Sequence, residues 1–175
     1  INIPLLIYNP FNKENKVIND LVTVTDLTAT ILNYAGIDKP KYMTGNSFLK
    51  DDFNRKYVYA ARDQWDEIMD KSRAIVTKKW KYIRNYKPEI PYDAGQAYLE
   101  FYRPAVHIMR TAKSKNLLTN AQLHFFKESK DLEELYDLEN DPHEINNLAL
   151  DPSFIKVMNK FRIDIEKYNQ RYSPM

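Results

Sequence analysis

EELYDLENDPHEINNLA, residues 133–149, sets six carboxylates and one histidine within seventeen positions. That density raises the question of a metal site or an acid/base pair. Asp137, Glu139 and Asp141 alternate as an EF-hand loop requires. However, Pro142 stands where glycine must make the sharp turn, and Leu148 where the closing bidentate carboxylate belongs. Zinc would want further histidines or cysteines at ligand spacing, and His143 stands alone in this stretch. The spacing therefore predicts a strand over 134–138 with alternating faces. A turn follows at Asn140-Asp141-Pro142, in which the aspartate bonds to the backbone two residues on.

RDQWDE, residues 62–67, carries a different chemistry. Arg62 can grip a sulfate or carboxylate with both arms of its guanidinium, Asp63 or Asp66 can accept sugar hydroxyls, and Trp65 can stack on a pyranose face. The plainer reading is a polar loop at a strand end with an Arg–Asp ion pair. His107, on an amphipathic helix, and His124, beside Phe125-Phe126, read as structural histidines. KKWKYIRNYK, residues 78–87, resembles a nucleic-acid patch in composition. Strand alternation places Trp80, Tyr82 and Arg84 on one face and Lys81 and Ile83 on the other, so the cations form no single stripe. With a net charge of only +2, a hairpin with aromatic core positions is expected, with no nucleic-acid partner.

The elements that must hold these residues follow from hydrophobic period. Residues 3–8 are nearly all apolar, the pattern of a strand buried on both faces of a parallel sheet. In TDLTATILNYAGI, Leu27, Ile31, Tyr34 and Ala35 recur at helical spacing, with Thr23 or Thr25 as N-cap and Gly36 at the C-terminal end. Short β-branched or aromatic runs over 56–61, 73–77 and 80–86, the last two joined by a turn at Lys78-Lys79, predict three more strands. With 134–138 they make an antiparallel sheet of about four. Asp151 and Pro152 open a final helix whose Phe154, Val157, Met158, Phe161, Ile165 and Tyr168 should cover one face of that sheet. Between hairpin and fourth strand, residues 87–131 form a long aromatic-rich insertion with helices starting near Pro104 and at Thr119, a length usually associated with function or domain packing. The fold class is α+β: the sheet and its helix over 51–175, preceded by a strand and helix over 1–50 that read as the edge of a larger α/β domain.

At 175 residues, 43% hydrophobic and 29% charged, the chain has the composition of a globular protein rather than a disordered or membrane one. It contains no cysteine, which excludes disulfides, thiolate metal sites and a cysteine nucleophile. The opening apolar run is too short to span a bilayer and lacks the flanks of a signal peptide. Beginning on isoleucine, the chain is expected to start inside a longer polypeptide.

Several segments resemble the sulfatase family. Glu134-Leu135-Tyr136-Asp137-Leu138, Asp141-Pro142, Glu144 and Asn147-Leu148-Ala149 are similar to its C-terminal signature ELYDLxxDPxExxNLA. Val24-Thr25-Asp26-Leu27, Thr30-Ile31-Leu32, Ala35-Gly36-Ile37 and Gly45-Asn46-Ser47-Phe48-Leu49 are similar to VDLxPTLLxLAGI and GxSLL. Ile3-Pro4-Leu5 resembles the strand after the family's Gly-x-Arg-x-Pro element, with Asn2 where that element has arginine. Residues 73–86 resemble the RAVRxxRYKYIRNY hairpin of bacterial sulfatases, and the insertion and C-terminal helix look closest to the heparan N-sulfatase branch. The resemblance implies the C-terminal portion of an alkaline-phosphatase-superfamily enzyme. Its intact form would desulfate a carbohydrate with formylglycine and calcium, in the periplasm or another extracytoplasmic space. It further implies that the ARDxxDE loop borders the substrate cleft. No C/S-x-P-S-R motif occurs here, and the calcium ligands are expected upstream of Ile1. This chain alone should therefore hold neither group nor any catalytic residue; its partners should be the N-terminal catalytic portion and the sulfated substrate. Two other classes remain open: a stand-alone carbohydrate-binding module, and a structural subdomain that touches no substrate.

Overall fold

The structure is a computed structural model describing residues 3–8, 10 and 15–172. Four strands form one antiparallel sheet in the order β1-β2-β3-β4: β1 Val58–Trp65, β2 Ile68–Val76, β3 Trp80–Asn85 and β4 Glu133–Asp137. The β2–β3 turn is closed by Thr77, whose N–H donates to Trp80 O (2.7 Å) while its hydroxyl accepts from Trp80 N (2.7 Å). Cross-strand pairing sets Ile75 opposite Tyr82 and Tyr82 opposite Leu135, so one face presents a continuous apolar row. Helix α5, Ile155–Tyr172, lays Met158, Phe161 and Ile165 on that row. Tyr82 stacks on Phe161 and Tyr59 on Tyr168. Burying each such side chain contributes roughly 1.5–3 kcal/mol, and this layer is the core. Asp151 caps the 3-10 turn Pro152–Phe154 leading into α5 by accepting from Ser153 N (2.9 Å).

The opposite sheet face is polar. Alternation turns Asp70, Ser72, Asn85 and Glu134 toward the insertion, which carries α2 Ala97–Tyr102, α3 Pro104–Ser114 and α4 Asn120–Leu123. Thr119 caps α4 in a capping box with Gln122, as its position predicts. Helix α2 has no counterpart in the sequence reading. The strands also run further than expected: RDQWDE is the end of β1 and the tip of a hairpin, not a loop beyond a strand. Pairing with β2 overrides the weak strand propensity of its Asp and Gln residues.

Helix α1, Val24–Tyr34, begins at Thr23 rather than Thr25 and ends before Gly36, whose φ of +70° takes the chain out of the helix. Asp26 is fully buried and accepts from Thr23 N (2.9 Å), Asn46 N (2.8 Å) and both arms of Arg55. Burial pushes the Asp26 carboxyl up, but those donors outweigh it and leave the group below its ordinary value. Gly45 lies so close to the first turn of α1 that a Cβ there would sit 2.0 Å from Thr25 O. The expected strand over 3–8 is not formed, and its side chains are exposed, Leu6 by 94%. Apolar sequence signals burial, but a strand also needs neighbours for its N–H and C=O groups, and among the described residues no strand pairs with residues 3–8. The expected position of Asn2 lies outside the described residues. Among the described residues no helix is long and apolar enough to cross a membrane.

Candidate functional site

The carboxylates of residues 133–149 are spent within the fold. Glu133 accepts from Arg162 (2.6 Å) and Tyr82 OH (2.5 Å) and pairs with Arg84 (3.0 Å). The Arg162 hydrogen bond, working against burial and helped by Tyr82 and Arg84, holds the Glu133 carboxyl at about 2. Glu134 is buried and accepts from Asn85, Tyr92 and Tyr136; burial and this carboxylate push both tyrosine hydroxyls well above the usual phenol range. Asp137, not Asp141, bonds to the backbone two residues on, at Glu139 N (3.1 Å). Asp141 instead receives Ile145 N (2.9 Å) and Asn146 N (2.8 Å). Asn147 holds Leu135 N and Ala149 N, and Glu144 pairs with Lys81. The segment is a strand with a tightly bonded return.

RDQWDE is where the open geometry lies. The β1–β2 register shifts between Arg62 and Gln64, so Asp63 bulges out and pairs with Arg73 (2.8 Å) on the α5 side of the sheet. Arg62 points the other way. Its guanidinium lies 5.3 Å from the Trp65 ring, and its buried Nε makes an ion pair with Asp70 at 3.4 Å without hydrogen-bond geometry. Asp70 is itself held by buried Lys130 at 2.5 Å, and Lys130 N donates to Pro88 O (2.8 Å), closing the insertion at its foot. At the hairpin tip, Asp66 adopts φ +49° and accepts from buried Gln96 (2.6 Å), while Glu67 accepts from Ala97 N (2.5 Å) at the start of α2. That N–H holds the Glu67 carboxyl below its ordinary value.

Hairpin and insertion enclose a cleft of about 630 Å³. Arg62 and Trp65 line it together, with Gln96, Arg103, Met109 and Phe125 on the insertion wall. Asp66 reaches it only through Gln96, and Asp63 is directed to Arg73. His107 Nε2 is 2.7 Å from Glu100 O, and His124 packs on Tyr92, both structural placements. Arg110 gathers Asp93 and Glu100 and ties α3 to the chain before it. Arg103 and Gln96 escaped sequence reading: they line the same cleft as Arg62 because α2 is clasped to a hairpin about thirty residues earlier, and no local period encodes that.

The family described as N-sulphoglucosamine sulphohydrolase, C-terminal, matches residues 1–94 and 91–171. The chain belongs to this family. Among its relatives is an ulvan-active sulfatase of Formosa agariphila, 35% identical over 173 residues, 96% of this chain and 28% of the relative. Human N-sulphoglucosamine sulphohydrolase is 26% identical over 184 residues, covering 94% of this chain and 36% of that protein. The chain thus spans about a third or less of these curated sulfatases. The solved structure of a 2-O GAG sulfatase shares the fold, with a TM-score of 0.59 at 21% identity, over 89% of this chain and 27% of that one. Formylglycine and calcium, which the resemblance implies for the intact enzyme, can be tested here only on the residues present. The motif that yields formylglycine is absent from the sequence, and no group of three or more His, Cys, Asp or Glu among the described residues could hold a metal ion.

Proposed function

We propose that this chain is the C-terminal part of a sulfatase acting on a sulfated carbohydrate, and that the cleft between the β1–β2 tip and the insertion is one wall of its substrate site. The observation carrying this reading is the pairing of Arg62 with Trp65 in an open cleft. A guanidinium backed by an aromatic ring offers two-armed contact to a sulfate or carboxylate beside a surface for a pyranose. Trp65 is 45% exposed, leaving ring area for a sugar face. The bond-breaking groups, formylglycine and calcium, would come from elsewhere in the sulfatase, and this part would supply grip and orientation. The relatives' names support a carbohydrate, one being ulvan-active and another acting on N-sulphoglucosamine. Arg62→Ala and Trp65→Ala in the full-length protein should each raise KM about tenfold against a panel of sulfated disaccharides with little change in kcat, as expected for lost ground-state contacts. Unchanged kcat/KM in both would remove the loop from the site.

A purely structural role has one observation in its favour. The exposed apolar stripe of α1 is suited to packing against the rest of a sulfatase, and the two roles can coexist.

A further inference from the structure

Of the residues lining the cleft, Arg62 and Arg103 alone are charged, and no acid lies among them. The remaining lining is largely apolar, with Ile68, Met109 and Phe125 among it. Arg103 is exposed, sits at the junction of α2 and α3, and lies 5.1 Å from the Tyr98 ring. No carboxylate among the described residues is in ion-pair range of it. Two guanidinium groups thus line one apolar cleft, each beside an aromatic ring: Arg62 meets Asp70 through its Nε alone, at 3.4 Å, and Arg103 has no acid beside it among the described residues, so together they make the cleft a positive environment suited to more than one anion. Resting on the reading of the cleft as a substrate wall, we propose that it is a two-anion subsite. In it Arg103 takes a carboxylate or sulfate on the sugar residue adjoining the one held by Arg62. This makes Arg103 a specificity-determining residue, selecting densely anionic glycans over singly sulfated ones.

The test is short-contact biosensor binding to the full-length protein with three probes. The first is a uronate–hexosamine disaccharide sulfated on the hexosamine. The second is its carboxyl-reduced form. The third is the carboxyl-reduced form carrying a second sulfate on the former uronate. Wild type should bind the first or third about tenfold more tightly than the second, the contribution of one charge-assisted two-armed contact, and the preferred one identifies the anion. Arg103→Ala, at an exposed position and with unchanged melting, should shrink that ratio to within about twofold while leaving the second probe's affinity intact. Arg103→Lys should keep part of the preference, since the charge stays and the planar fork is lost. Arg62→Ala should weaken all three. A wild type without preference, or an Arg103→Ala protein that keeps it, overturns the two-anion subsite alone. Arg62→Ala with no effect on any probe overturns the cleft reading beneath it.

Discussion

Helices α1 and α5 carry apolar stripes of similar regularity and opposite fate. On α5, Met158, Phe161 and Ile165 are 1%, 4% and 2% exposed against the sheet. On α1, Val24, Leu27, Ile31 and Tyr34 form a stripe at the same spacing, and Ile31 remains 60% exposed. What holds α1 is polar: Asp26 gathers Thr23, Asn46 and Arg55, Thr30 accepts from Phe48 N (3.1 Å), and Ser47 donates to Asn33 (2.9 Å). One region is closed by the hydrophobic effect, the other by hydrogen bonds with its greasy face left over. Periodicity reports that a face seeks burial, not that its partner is at hand.

Four measurements would break or sharpen that contrast. Phe161→Ala removes a ring stacked on Tyr82 and should cost about 3–5 kcal/mol in denaturant unfolding, collapsing the sheet layer. Asp26→Ala leaves Arg55 and two backbone N–H groups without their acceptor and should cost about 3 kcal/mol. Its signature is local: hydrogen exchange should accelerate over 24–48 while β2 and β3 stay protected, and an equal loss in both would show the two regions to be one cooperative unit. The third is pH. The Glu133 carboxyl is depressed to about 2 from an unfolded value near 4.3, so its stabilisation is complete above about pH 5 and is lost as pH falls through 2. With Arg162 partly solvated, the loss is on the order of 1–2 kcal/mol, and Glu133→Gln should show it already at pH 7 with a flatter acid limb. Smallest is Ile31→Ser, which should move stability by only about 0.5 kcal/mol in denaturant unfolding, as expected for an exposed position. A large destabilisation would mean that this face is already packed.

Local signals were readable where the structure depends on them locally. Thr23, Gly36, Thr119 and Asp151 terminate their helices by chemistry confined to a few residues, and the turn at Lys78-Lys79 follows from the runs on either side. The apolar row Ile75, Tyr82, Leu135 follows from strand alternation. The rest was settled at long range. The last four residues of β1 gain their strand conformation from β2, the Asp70–Lys130 pair spans sixty positions, and the clasp from Asp66 and Glu67 to Gln96 and Ala97 spans thirty. The candidate site was half visible for the same reason. Arg62 and Trp65 lie within one short stretch, whereas Arg103 joins them only after the insertion folds back. Asp63 and Asp66 looked like sugar ligands by type, and the bulge and the clasp direct them to Arg73 and Gln96.

The closure at Lys130 has a consequence for descent. Its N–H on Pro88 and its ammonium on Asp70 tie the insertion at its neck, beside the paired strands β3 and β4. Changes within residues 89–129 that keep Tyr92, the donor to buried Glu134 of β4, should therefore leave the sheet standing. Lys130, by contrast, should be inherited together with Asp70, because the buried ammonium without that carboxylate is a stranded interior charge. A lineage built this way should vary its insertion faster than its frame.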